Sequence, residues 1–211
     1  MTLRTHGLNL AFEKDDDLIY IPVEKQKAGD ILLEAEQMHK KCQISYYCQD
    51  DNFDLSGFDG QLFIWGHGNK GLRKIGTSIG NNLSHNIAKD LTRKKLPNGN
   101  PNGGPTKIIL WSCWAGSPGG LAESLWLSFQ GTKVRNVTVY GPNYATGTLC
   151  RFEDDHRYLR GLEIYGADEH NGAGNLDTVV THNKWIGAKT YARPAHMRAV
   201  SSRIGLKSAE W

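Results

Sequence analysis

Short apolar runs alternate along the chain with segments whose apolar residues recur at helical spacing. Such runs, bounded by turn-forming residues, are typical of strands that are buried on both faces of a sheet. They predict strands over residues 17–23, 43–47, 61–65, 107–111 and 136–140. The helical spacing predicts helices over residues 28–41, 82–96 and 119–129. This alternation predicts an α/β fold, in which a mainly parallel central sheet has helices on both faces.

The pattern changes after about residue 147. Strands are predicted over residues 162–165 and 178–185, with a glycine-rich turn at 172–175 between them, as an antiparallel extension or edge of the sheet. No structure is assigned from residue 192 onward. The length of 211 residues suits one domain with an appended tail. We therefore expect a domain of residues 1–190 and a C-terminal tail of residues 191–211.

Two of the predicted strands end in glycine and a chemically reactive side chain. The run 61–65 continues into Gly66-His67-Gly68, and the run 107–111 continues into Ser112-Cys113-Trp114-Ala115-Gly116. In open α/β sheets, ligands bind beyond the carboxyl ends of the strands. A thiol beside an imidazole is the minimal equipment for nucleophilic catalysis.

Each of these residues alone has an ordinary structural interpretation. His67 fits a histidine of the core or of a turn, and Cys113 fits a small buried hydrophobe, as most free cysteines do. Their shared position, beyond a strand and beside glycine, favours catalysis.

The two blocks together resemble those of the caspase-like cysteine peptidases, which include caspases, metacaspases, legumains, gingipains, clostripain and the self-processing domains of bacterial toxins. Gly66-His67-Gly68 matches the histidine block of these enzymes. The segment 112–116 is similar to the metacaspase block Asp-Ser-Cys-His-Ser-Gly, with Trp111 at the position of its aspartate. The resemblance covers about residues 61–120. It implies a three-layer caspase-like sandwich and a cysteine endopeptidase that needs no cofactor.

The resemblance also implies roles for individual groups. Cys113 would attack the peptide carbonyl, and His67 would protonate the leaving amine and act as a base. The family is often described as using a dyad, so no third residue is assigned. The backbone N–H groups of Gly68 and Cys113 would form the oxyanion hole, in which each donor is typically worth about 3 kcal/mol.

Substrate recognition is less constrained by the sequence. Metacaspases use the aspartate before Ser-Cys to bind a basic side chain, and Trp111 replaces it here. Two acidic residues after the last core strand are an alternative source of negative charge, and the loop after residue 140 should open at the same edge of the sheet. The residues predicted to line the substrate cleft are Trp111, Trp114, Asn143, Tyr144, Asp154 and Asp155.

Composition narrows the functional classes. The net charge of +3 is small and the basic residues are scattered, which gives no case for nucleic acid. Four cysteines without metal-ligand spacing predict neither a disulfide framework nor a metal site. No apolar stretch reaches the length of a signal peptide core or a membrane span. We therefore expect a protein that is cytoplasmic, or exported without a cleaved N-terminal signal.

The sequence thus predicts a cysteine peptidase that acts on a protein or peptide, by analogy a bacterial effector or toxin peptidase. It does not identify an inhibitor or immunity partner. Two alternatives stay open: a catalytically inactive binding module on the same scaffold, and an acyltransferase or amidase that uses the same cysteine and histidine.

Overall fold

The computed structural model describes residues 17–36, 43–48, 53–99, 104–134, 136–143, 145–153, 156–164, 197–201 and 209–210. A short 3-10 turn, Lys25–Lys27, precedes the first helix. Within the described residues there are three α-helices, α1 (Gly29–Glu36), α2 (Ser84–Arg93) and α3 (Leu121–Gln130). The strands are β1 (Leu18–Ile21), β2 (Gln43–Tyr46), β3 (Gln61–Trp65), β4 (Lys74–Gly76), β5 (Asn81–Leu83), β6 (Thr106–Trp111), β7 (Val137–Pro142), β8 (Thr146–Glu153), β9 (His156–Ile164), β10 (Met197–Ser201) and β11 (Ala209–Glu210).

Seven strands form the main sheet in the order β11-β10-β7-β6-β3-β1-β2. The five strands from β7 to β2 are parallel to one another, and β10 and β11 extend the β7 edge in antiparallel pairing. The prediction of an α/β fold with a mainly parallel sheet is therefore confirmed. Sequence analysis had assigned no structure to the segment that forms β10, and the domain boundary at residue 190 stays a prediction.

The central strands are buried on both faces, as their apolar runs predict. Alternate residues of β3 contribute to two separate clusters of buried side chains: Leu62 and Ile64 to one, and Phe63 and Trp65 to the other. The first cluster includes buried residues of α2 and α3, and the second includes Ile31 of α1. Period-two alternation of side chains explains why a continuous apolar run is needed in such a strand.

A buried polar contact fixes α2 against the sheet. The hydroxyl of Tyr20 in β1 donates to Asp90 Oδ2 at 2.8 Å, and Arg93 donates to Asp90 Oδ1 at 2.7 Å. Burial, together with the negative charge of Asp90, raises the pKa of Tyr20 well above 10. Both oxygens of the buried carboxylate are thereby satisfied, as a low-dielectric interior requires.

Several elements differ from the expectations. Strands β4 and β5 form a hairpin that was not predicted, because Lys-Ile-Gly and Asn-Asn-Leu are too short and polar to show a strand pattern. Residues 162–164 of the expected strand 162–165 form the end of the longer β9, which pairs with β8 in a separate antiparallel hairpin. The expected turn at 172–175 and strand at 178–185 lie outside the described residues.

The described helices are short. They contain 8, 10 and 10 residues, whereas a membrane span needs about 20 apolar residues. Within the described ranges, no helix has the length and apolar character to cross a bilayer.

Candidate active site

The sheet brings the two predicted catalytic residues to neighbouring positions. Strands β3 and β6 are adjacent and parallel, and Trp65 is paired with Trp111 in their register. His67 and Cys113 each follow their tryptophan by two residues. Because neighbouring strands lie about 4.8 Å apart, the two loops leave the carboxyl edge side by side.

These two loops, 66–71 and 112–116, also contact each other. A β-carbon placed on Gly68 would collide with Ser112 Oγ and would lie 3.1 Å from the carbonyl oxygen of Cys113. Farther along, Lys70 Nζ lies 5.6 Å from the centroid of the Trp114 ring, within the range of a cation–π interaction. Any larger residue at position 68 would therefore force Ser112 to shift.

Both the backbone and the side chain of His67 are held. Its N–H donates to the carbonyl of Gly76 at 2.6 Å, and its carbonyl accepts from the Gly76 N–H at 3.1 Å. Its ring nitrogen Nε2 lies 2.5 Å from Asp30 Oδ2. Asp30 lies within the helix predicted over residues 28–41, and nothing in the local sequence links it to His67.

Asp30 is itself fixed by the turn of the β4–β5 hairpin. Its Oδ1 accepts hydrogen bonds from the Ser78 N–H at 3.2 Å and from the Ser78 hydroxyl at 3.0 Å. Partial burial alone would raise the pKa of Asp30, but the hydrogen bonds from His67 and Ser78 outweigh it and lower that pKa from 3.8 to about 2. The carboxylate is therefore ionised near neutral pH.

The thiol of Cys113 is half-buried and contacts the first residue of β8. The N–H of Thr146 donates to Cys113 Sγ at 3.4 Å, and Sγ lies 3.7 Å from Thr146 Oγ1 and 3.8 Å from its carbonyl oxygen. The imidazole and the thiol therefore have different hydrogen-bond partners in this conformation.

The cysteine loop is constrained on its other side by β7. The N–H of Gly116 donates to the carbonyl of Pro142 at 2.8 Å, and a β-carbon on Gly116 would collide with the carbonyl oxygen of Gly141 and lie 3.0 Å from Asn143 Oδ1. Trp114 has a φ of 59°, in the left-handed region that a side chain disfavours. Strained backbone of this kind is concentrated at functional sites.

The structure places the residues predicted to line the substrate cleft in different environments. Trp111 is 2% exposed and stacks on Trp65 with ring centroids 4.3 Å apart. Its assignment to the cleft was wrong, because it points into the core on one face of the sheet. Trp114 belongs to the cysteine loop and Asn143 lies beside that loop near Gly116, whereas Tyr144 and the pair 154–155 lie outside the described residues.

A cavity of about 190 Å³ lies at the opposite edge of the sheet. Its lining includes Leu18 and Gln43, the first residues of β1 and β2, and it is therefore separate from the His67–Cys113 edge. In the part of the chain that the structure describes, no three His, Cys, Asp or Glu side chains are grouped so as to hold a metal ion.

Comparison of the chain with protein-family models and with curated protein sequences found no match.

Proposed function

We propose that this chain is a cysteine peptidase with a caspase-like three-layer sandwich, in which Cys113 is the nucleophile and His67 the acid and base. The observation that carries the proposal is the register of β3 and β6, which sets the histidine and the cysteine equally far beyond a shared pair of residues. Helix residues in the buried clusters of both sheet faces support the layered fold.

The acylation step needs only these two side chains. The thiol proton passes to the imidazole, and the sulfur attacks the carbonyl carbon of the peptide bond. The C–N bond then breaks as the imidazolium gives its proton to the leaving amine, which leaves a thioester on Cys113.

Deacylation follows the same path with water. The imidazole takes a proton from water as the oxygen attacks the thioester carbonyl. The C–S bond breaks, a carboxylic acid is released, and the proton returns to the sulfur.

The proposed oxyanion donors fit this chemistry. Among the described residues, the N–H groups of Gly68 and Cys113 have no acceptor, so both are available to a carbonyl oxygen. They belong to the two loops that pack together through Gly68 and Ser112. Two preorganised donors at the developing negative charge contribute more than the ground-state hydrogen bonds they replace.

The test is cleavage of a peptide library by the wild-type chain and by Cys113→Ala, with Cys48→Ala as the matched control. Cys48 is an exposed free cysteine, so its loss should leave the rate unchanged. Loss of cleavage is expected only in the Cys113 variant, together with loss of labelling by an acyloxymethyl ketone probe.

Mass spectrometry of the products separates the alternatives. New amino and carboxyl termini are expected from a peptidase, whereas transfer of an acyl group or release of ammonia from a side-chain amide would identify an acyltransferase or amidase. Cleavage retained in Cys113→Ala, or none by the wild-type chain, would refute the proposal.

A further inference from the structure

Both oxygens of the Asp30 carboxylate, which lies beside His67, are hydrogen-bonded within the fold. Asp30 Oδ2 contacts His67 Nε2, while Oδ1 accepts both donors of Ser78. The hairpin turn that carries Ser78 is tied to the start of α1, because the Thr77 hydroxyl donates to the Lys27 carbonyl at 2.6 Å. The same hairpin holds the His67 backbone through Gly76.

Stability alone does not account for this arrangement. The side chains of His67 and Asp30 are 60% and 45% exposed, and an exposed ion pair contributes only about 0–1 kcal/mol. What the contacts do determine is the orientation of the ring, because five hydrogen bonds fix the imidazole, its backbone and its carboxylate partner relative to one another.

The contact also determines which ring nitrogen carries the proton. An ionised carboxylate is only an acceptor, so Nε2 must donate to Asp30. In a neutral imidazole the other nitrogen is then unprotonated. Nδ1 is therefore the basic nitrogen of His67.

We propose that Asp30 is a positioning residue, which holds His67 as the Nε2–H tautomer and thereby makes Nδ1 the nitrogen that takes and returns the proton of Cys113. The catalytic part of this inference rests on the proposed peptidase function, whereas the control of the tautomer does not. The array is a cysteine, a histidine and an aspartate rather than a dyad.

The isosteric variant Asp30→Asn gives the sharpest test. Ser78 donates to Oδ1 through both its N–H and its hydroxyl, so the amide oxygen of the asparagine should occupy that position. Its NH₂ group then faces His67 and can only donate, which requires Nε2 to accept. The variant should therefore hold the ring as the Nδ1–H tautomer, with its proton on the wrong nitrogen.

The tautomer is read directly by long-range ¹H–¹⁵N correlation NMR on the full chain at about pH 8, where an ordinary imidazole is neutral. His67→Gln identifies the signal among the eight histidines. The wild-type ring should show the Nε2–H pattern, Asp30→Asn the Nδ1–H pattern, and Asp30→Ala a mixture.

The kinetic readout separates positioning from a structural role. We expect kcat to fall roughly 10- to 100-fold in both Asp30 variants, which is less than the full contribution of general acid–base catalysis, about 10²- to 10⁴-fold, with KM little changed. If Asp30 had only a structural role, kcat would fall less in Asp30→Asn than in Asp30→Ala. If Asp30 sets the tautomer, kcat should fall at least as much in Asp30→Asn as in Asp30→Ala. Urea unfolding of both variants confirms that they fold.

Asp54→Asn is the matched control. Asp54 is also an exposed carboxylate that accepts from a serine N–H and a cationic side chain, with a pKa lowered to about 2 by Lys95 and Ser56, but it lines the cavity at the far edge. Its replacement should change neither the His67 tautomer nor kcat.

An unchanged Nε2–H pattern in Asp30→Asn, or an Nδ1–H pattern in the wild-type chain, would overturn the inference. Should Cys113→Ala retain cleavage while Asp30→Asn switches the tautomer, the peptidase proposal fails and the control of His67 by Asp30 stands.

Discussion

Gly68 lies where the histidine loop, residues 66–71, packs against the cysteine loop, residues 112–116. The absence of a side chain lets its backbone lie against Ser112 Oγ and the Cys113 carbonyl. Glycine at this position thus sets how closely the two loops pack.

We expect Gly68→Ala to lower the free energy of unfolding by about 1–3 kcal/mol, the usual cost of inserting a methyl group into a packed region, and to reduce activity further by separating the loops. Urea unfolding and peptide cleavage measure the two effects. Gly57→Ala is the control, since a β-carbon there meets nothing within 4 Å. Equal stability of the two variants would contradict the proposed contact.

At the scale of elements, the strands that carry the site were predictable and its supports were not. The apolar runs of β3 and β6 are unambiguous because both faces of these strands are buried. The β4–β5 hairpin was not predicted because its strands are held together by backbone hydrogen bonds, which leave no apolar pattern in the sequence. Asp30 was not predicted as a site residue because its partners, Ser78 and His67, are distant in the sequence and reach it only in the folded chain.

The β8–β9 hairpin contacts Cys113 through Thr146. Its backbone and hydroxyl contact Cys113 Sγ on one side, and β8 pairs with β9 from this residue onward. Thr146 therefore covers one side of the sulfur.

We expect a bulky maleimide to alkylate Cys113 several-fold more slowly, relative to iodoacetamide, than it alkylates the exposed Cys48. Thr146→Gly should reduce this difference in rate because it removes a hydroxyl that lies 3.7 Å from the sulfur. Peptide mapping by mass spectrometry resolves the two cysteines. The same ratio in both chains would show that Thr146 does not limit access.

At the scale of the whole molecule, two ionised carboxylates on opposite edges of the sheet couple stability to acid. Hydrogen bonds lower the pKa of Asp30 to about 2, and those from Lys95 and Ser56 lower that of Asp54 to about 2. In the unfolded chain these groups have ordinary pKa values of 3.8. Between about pH 2 and pH 4 the unfolded chain therefore binds more protons than the folded chain. Stability from both groups is present above about pH 4 and is lost as the pH falls toward 2.

We therefore expect the free energy of unfolding to fall between about pH 4 and pH 2, and to fall less steeply in the double variant Asp30→Asn, Asp54→Asn. Urea titrations at several pH values measure the slope. Identical slopes in the wild-type chain and the double variant would assign the acid sensitivity to other groups.

The pairing of Trp65 with Trp111 in the register of β3 and β6 limits which insertions the chain can tolerate. Lengthening β3 or β6 by one residue would carry one reactive group about 3.3 Å past the other and turn the flanking side chains to opposite faces. The same insertion made in both strands would restore the match. The relative positions of His67 and Cys113 depend on the register of β3 and β6. Changes in the length of these strands are therefore compatible with this site only when they occur in both.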